Sequence, residues 1–377
     1  MDTNLFFFFF FFFFFFSTEA NVVEGSRHFD RSLQGGLGSN KRLFVFGDSY
    51  VDTGNTPKSY PAWKAPYGTT FPERPDGRFS DGRVLTDYLA TFLGIRSPIP
   101  YRLRKDAKEE VKYGMNFGHG GTGVFDTRVA GPNMTIQINY FEQQVEEEKV
   151  YTKQDLDNSI ALATISGNDY TTFIFRNRSL LVSGKCALLS LLYTFELHVG
   201  APCTFIHLPD FIRSVTKQIS INLKRIHDLG VQNIVVTSIE PFGCLPSITA
   251  LFSYKVCNEL VNLAATLHNH VLQQVVQDLN NVTHQPVFIV IDLHGAFLAA
   301  MKKQNNQTGT IKFGDPLRPC CVGVPGHSCG DVDENGMKKY EVCENPSSSF
   351  FWDDVHPTQE GWYEVFSALQ PSLNKLL

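Results

Sequence analysis

Apolar and polar positions along this chain fall into blocks of two different periods. Leu43–Phe46 is a short apolar run that stops at Gly-Asp-Ser and predicts a buried strand. Ser159–Ile165, "SIALATI", predicts a second strand, stopping at "SGND". Asn233–Ile239, "NIVVTSI", and Pro286–Ile291, "PVFIVI", predict two more. Between them the apolar spacing lengthens to that of a helix. Phe211–Leu229 carries this spacing and runs into Gly230, a residue suited to closing a helix. Glu259–Leu279 is a longer helical pattern, and the tail from Gly361 is helical again. Strands that alternate with helices predict an α/β domain with a mostly parallel central sheet covered on both faces. Ser179–His207 has mixed periodicity and fits neither class. It reads as a helix hairpin over an active-site mouth or as an insertion outside the core.

Composition narrows the picture. The chain has 377 residues, of which 43% are apolar, enough for a large core. The formal net charge is −5 and no long basic run occurs, so nucleic acid is not expected as a partner. Phe6–Phe16 is an unbroken phenylalanine tract; with Leu5 it is far short of the roughly 20 apolar residues that span a bilayer. No stable membrane anchor is therefore expected. Residues 1–20 read as a signal peptide, with Ser17, Thr18 and Ala20 as the small residues after its apolar centre. The competing reading is a low-complexity tract, since Asp2 stands where a signal carries Lys or Arg. Residues 21–40 read as a polar, disordered leader and 41–377 as one domain.

Two further features agree with a secretory route. Asn-x-Ser/Thr sequons stand at Asn133, Asn177, Asn281 and Asn306 and are glycosylation candidates. Of the eight cysteines, six fall between Cys244 and Cys343, which suits disulfides in an oxidising compartment. Zinc is the rival use of such cysteines, but no Cys-x-x-Cys pair is present.

Ser49 sits two residues past the end of the first strand, where reactive groups collect in α/β sheets. A serine hydroxyl needs a base before it is a nucleophile. "FFWDDVHPT", Phe350–Thr358, supplies a candidate base in His356, with Asp353 three residues before it and on the same side of a tight turn. Asp354 is the competing carboxylate and is set to point elsewhere. His119, His268 and His270 compete as the base; the last two lie in a helical pattern where a structural role is expected. An oxyanion needs donors. The Gly-rich "NFGHGGTG", Asn116–Gly123, and Asn168, just past the second strand, are candidates. "GHSCG", Gly326–Gly330, matches the Gly-x-Ser-x-Gly elbow in letters, but lies among Cys, Pro and Gly with no strand before it, so Ser328 is set aside. Asp52 and Asn55 read as residues that tie down the loop behind the serine.

Gly-Asp-Ser, the Gly-rich loop, Gly-Asn-Asp and Asp-x-x-His, in this order, make the chain resemble the plant GDSL esterase/lipase family of SGNH hydrolases. "GRFSDGR" (Gly77–Arg83), "GCLP" (Gly243–Pro246), "HN" (His268–Asn269) and the Cys320–Cys321 pair add to the likeness, which runs over roughly residues 41–370. The resemblance implies a three-layer α/β/α, flavodoxin-like fold with no metal or organic cofactor. It implies a secreted, extracellular (apoplastic) enzyme that cleaves a small-molecule or lipid ester through an acyl-enzyme. In it Ser49 would be the nucleophile, His356 the base and Asp353 its orienting carboxylate. The Ser49 and Gly120 N–H groups and the Asn168 amide would form the oxyanion hole. An acyltransferase on the same site, or a catalytically silent carbohydrate- or lipid-binding protein, is the alternative.

The likeness further suggests a Cys244–Cys257 disulfide and leaves three connectivities for Cys320, Cys321, Cys329 and Cys343. The chain departs from the family pattern twice. Position 50 is Tyr where the name-giving motif has Leu, which points to Tyr50 as a wall of the substrate site. Ser179–His207 is longer and less polar than the family's usual connection and reads as an atypical insertion.

Overall fold

A computed structural model describes residues 41–164, 167–182, 202–304 and 312–374, without the side chains of 177–182 and 202–206. The expected signal and leader, most of Ser179–His207 with Cys186, and Asn306 lie outside the described residues, as do the side chains of Asn177 and Cys203.

The chain opens with β1 (Arg42–Gly47), α1 (Leu85–Phe92), β2 (Ile99–Pro100) and β3 (Gly114–Asn116). Next come α2 (Met134–Glu142), β4 (Ser159–Thr164), α3 (Asn168–Val182) and α4 (Pro202–Asp228). Then follow β5 (Asn233–Thr237), α5 (Glu259–Thr283), β6 (Phe288–Ile291) and α6 (Leu293–Met301). A two-stranded antiparallel ribbon, β7 (Cys321–Gly323) with β8 (Tyr340–Val342), and α7 (Gln359–Leu373) complete it.

The large sheet has the order β2-β3-β1-β4-β5-β6 with every pairing parallel. Without the two-residue edge strand β2, this is the flavodoxin-like order. The strands pair in register because both faces of each are apolar. On β1, Leu43 and Val45 join one core and Phe44 and Phe46 the other. The first core is closed by Leu85 and Leu89 of α1, Phe297 of α6, and Trp362, Val365 and Phe366 of α7. The second is closed by Met134, Ile138 and Phe141 of α2 and by Val215, Ile219 and Leu223 of α4. Each such fully buried side chain contributes about 1.5–3 kcal/mol relative to exposure. The expected three-layer α/β/α fold is the observed one.

Element ends follow local chemistry. Helix α4 stops before Gly230, whose φ of +114° turns the chain and whose N–H bonds the His227 carbonyl. Helix α5 is capped by Asn258, which accepts from the Val261 N–H, and α7 by Thr358, which accepts from the Gly361 N–H. The periodicity placed these helices within a few residues, except that α4 begins at Pro202, earlier than the expected Phe211. Among the described residues no helix is long and apolar enough to cross a membrane.

Candidate active site

β1 and β4 are neighbours; Ser49 lies in the turn after β1, and Asn168 is the first residue of α3, the helix that follows β4. At the end of β1 the chain must turn sharply against β4. Gly47 has φ +149°, and a Cβ there would sit 2.3 Å from the Thr164 carbonyl oxygen. Gln137 of α2 pins this corner, accepting from the Gly47 N–H and donating to its carbonyl, both at 2.8 Å. The turn continues with the Asp48 carbonyl accepting from the Val51 and Asp52 N–H groups. Ser49 is left buried at the corner, and its own N–H meets no acceptor among the described residues.

Asp52 and Asn55 hold the loop behind the serine, as expected. Asp52 Oδ1 accepts from the N–H groups of Gly54 and Asn55 at 2.7 and 2.6 Å. Asn55 Nδ2 donates to the carbonyls of Asn116 and Gly118, both at 2.8 Å. Burial raises the Asp52 carboxyl above its ordinary value, against the lowering effect of these N–H donors and of His119 nearby.

His356 comes from the loop before α7. Its Nε2 lies 2.8 Å from Ser49 Oγ, across 307 residues of sequence, and its Nδ1 lies 2.8 Å from both carboxylate oxygens of Asp353. The Asp-x-x-His spacing closes a tight turn, because Asp353 Oδ1 also accepts from the backbone N–H groups of Val355 and His356. Burial alone would raise the Asp353 carboxyl. The facing His356, these N–H groups and the Tyr67 hydroxyl outweigh it and hold Asp353 below its ordinary value. Asp354 points away, with an exposed side chain, while its carbonyl accepts from the Ser247 N–H.

Two aromatic rings flank the histidine: Phe79, with centroids 5.1 Å apart, and Tyr50, edge-on at 6.0 Å. Phe79 belongs to "GRFSDGR", and this stretch also ties down the histidine loop. Ser80 Oγ donates to the Pro357 carbonyl at 3.0 Å, and Asp81 Oδ1 accepts from the Gln359 N–H at 2.7 Å. Tyr67 donates to Asp353 Oδ2 at 2.7 Å. No sequence pattern singled out Tyr67, whose partner is 286 residues away.

The other candidates separate clearly. Asn168 Nδ2 uses one hydrogen on the Thr122 carbonyl at 3.0 Å, which fixes the amide beside the Gly-rich loop. The Gly120 N–H donates to Asp52 Oδ2 at 2.9 Å, so it serves an oxyanion only if shared between two acceptors. His119 is buried with Nδ1 3.1 Å from the Gly120 carbonyl and Tyr60 edge-on beside it. His268 is buried and bonded to the Tyr170 hydroxyl, and burial pushes it down to about 3, a structural histidine as expected. His270 is exposed on α5. Ser328 is exposed in a loop after β7, next to Cys329, which pairs with Cys321.

Tyr50 is not a wall of the substrate site. It is 2% exposed and turns into the core against Phe297 and Trp362, where its hydroxyl finds the partners that a buried phenol requires. Among the described residues the disulfides are Cys244–Cys257, Cys320–Cys343 and Cys321–Cys329, so these six cysteines are not zinc ligands. Of the sequons, Asn281 is exposed near the end of α5, and Asn133 caps α2 with its side-chain oxygen.

A serine, a histidine and an aspartate in line, at the strand ends where the order of a parallel sheet reverses, is the arrangement that serine hydrolases share on unrelated folds. The chain belongs to the GDSL-like lipase/acylhydrolase family, whose profile matches residues 43–369. It is 48% identical over 339 residues to GDSL esterase/lipase At5g03610 of Arabidopsis thaliana, covering 89% of this chain and 88% of that one. It is 47% identical over 339 residues to GDSL esterase/lipase At3g09930 of the same plant, covering 89% of each. Among solved structures, an extracellular lipase from Streptomyces rimosus aligns at 12% identity with a TM-score of 0.37, covering 89% of this chain and 99% of that one. The protein is a carboxylic ester hydrolase.

Proposed function

We propose that this protein is a secreted esterase/lipase that works through an acyl-enzyme on Ser49. The observation that carries the reading is the continuous line from Ser49 Oγ through His356 to Asp353, with 2.8 Å at each step. In this mechanism Oγ attacks the ester carbonyl carbon while His356 Nε2 takes the hydroxyl proton. Asp353 keeps the remaining proton on Nδ1 and stabilises the imidazolium that forms. The oxyanion is met by the Ser49 N–H and by the second hydrogen of the Asn168 amide, with Gly120 adding a shared N–H. His356 then returns its proton to the alkoxide, the C–O bond breaks and the alcohol leaves. Water, deprotonated by His356, repeats the cycle on the acyl-enzyme and regenerates Ser49.

Secretion rests on the signal-like start, the sequons and the disulfides, which persist in oxidising compartments. Ser49→Ala tests the mechanism. Turnover of p-nitrophenyl butyrate is expected to vanish while the circular dichroism spectrum and thermal midpoint stay near those of the parent. Turnover that survives this substitution would sink the reading.

A further inference from the structure

Ser49 and Tyr50 are consecutive, and so are Val355 and His356. The two pairs bridge in parallel. Ser49 Oγ meets His356 Nε2 at 2.8 Å, and Tyr50 Oη donates to the Val355 carbonyl, also at 2.8 Å. The second bridge lies in the core, with Trp362 edge-on at 5.0 Å and Phe297 stacked at 6.0 Å from the Tyr50 ring. A third element joins it. Glu240, three residues past β5 and buried, has Oε1 3.4 Å from Tyr50 Oη, while its Oε2 has no hydrogen-bond partner among the described residues.

Within the Asp353–His356 turn, Asp353 holds the amide side of the peptides that follow it. Nothing in that turn holds the Val355 carbonyl; Tyr50 does so from the nucleophile's own loop. Burial favours the neutral form of both ionisable partners. Burial pushes the Tyr50 hydroxyl well above its ordinary value, and burial followed by the nearby Asp48 does the same to Glu240. A neutral phenol is a donor, which is what the carbonyl requires. The leucine of the name-giving motif has no hydroxyl and cannot make this bond.

We infer that Tyr50 is a positioning residue, seated by Glu240, that fixes the Val355–His356 peptide so that His356 Nε2 stays in line with Ser49 Oγ. The inference rests on the proposed roles of Ser49 and His356. It assigns position 50 to proton transfer rather than to substrate shape. A base held within hydrogen-bond reach loses rate steeply with small displacements.

Tyr50→Phe removes the hydroxyl and keeps the ring. The expected result is a fall of about tenfold in kcat for p-nitrophenyl butyrate, with KM within about twofold of the parent. The rate constant for labelling of Ser49 by a fluorophosphonate, measured well below the thermal midpoint, is expected to fall by a similar factor. Glu240→Leu leaves the Val355 bond and removes the second partner, so it is expected to act in the same direction by a smaller factor. In the double variant the losses are expected not to multiply. Parent-like kcat and labelling in Tyr50→Phe, whatever its thermal midpoint, would overturn the inference, and so would losses that multiply. If Tyr50→Phe does not fold, Glu240→Leu decides alone: a lowered labelling rate supports the inference and an unchanged one overturns it. Ser49→Ala separates the two readings. If it is active, the triad reading fails; if it is inactive while Tyr50→Phe is parent-like, only the positioning role fails.

Discussion

Tyr67 Oη donates to Asp353 Oδ2 at 2.7 Å, on the carboxylate that also faces His356 Nδ1. Tyr67→Phe removes one donor from a buried, ionised group, and such bonds are worth about 1.5–3 kcal/mol. Asp353 is held below its ordinary value in the folded state, so its contribution to stability is present above the unfolded carboxylate value, and is lost as pH falls through the folded one. The substituted protein is therefore expected to melt lower than the parent at pH 7, with the gap closing as pH falls below about 4. Thermal midpoints across pH 3–7 check this; a gap independent of pH contradicts it.

Glu240 has the opposite sign. Its folded value is raised, so the folded state holds a proton that the unfolded chain releases above its ordinary carboxylate value. The contribution of Glu240 is full at acid pH and is lost as pH rises toward the folded value. Glu240→Gln cannot ionise and escapes this loss. Relative to the parent, it is expected to gain thermal stability progressively from about pH 5 upward. A parent-to-variant difference that stays flat from pH 5 to pH 8 would count against a buried neutral Glu240.

Asn168 has one amide hydrogen engaged by the Thr122 carbonyl, and the proposed mechanism uses the other. Asn168→Ala is expected to lower kcat by about 10²–10³, the range for loss of one oxyanion donor. Since the donor acts on the charged intermediate, KM is expected to change little. Steady-state kinetics on p-nitrophenyl butyrate decides: a large rise in KM with unchanged kcat would assign Asn168 to ground-state binding instead.

Gly47 is the corner that aims the nucleophile. Alanine there meets both an unfavourable φ and a Cβ 2.3 Å from the Thr164 carbonyl, so β1 and β4 must shift apart. Gly47→Ala is expected to destabilise by about 3 kcal/mol or more, the sum of backbone strain and overpacking. Urea denaturation measures it, and a midpoint equal to the parent's would show that the corner relaxes freely.

The strands β1, β4, β5 and β6 were legible because a parallel strand covered on both faces must be a near-continuous apolar run. The Asp353–His356 pair was legible because its contact closes within one turn. The Asp52 bonds to the Gly54 and Asn55 N–H groups are Asx chemistry over a few residues, whereas the Asn55 amide reaches carbonyls 61 and 63 residues away. Tyr50 was misread for a related reason. Adjacency to Ser49 says nothing of direction, and the side chain turned inward to reach partners 190 and 305 residues away. Tyr67 carried no signal at all. The Gly120 N–H was implied by the family resemblance within a Gly-rich loop, and its acceptor in the fold is Asp52, 68 residues earlier.

By itself the sequence determined which residues had the chemistry to act and the order of elements that would carry them. Hydrophobic period and short-range turn chemistry are local, so they are written in neighbouring residues. Tertiary structure alone decided how Cys320, Cys321, Cys329 and Cys343 pair, that the His119 ring turns to the Gly120 carbonyl, and that Tyr50 faces the core. Those outcomes depend on which strand ends and loops packing brings within 3 Å of each other, a property of the whole fold that no stretch of it encodes.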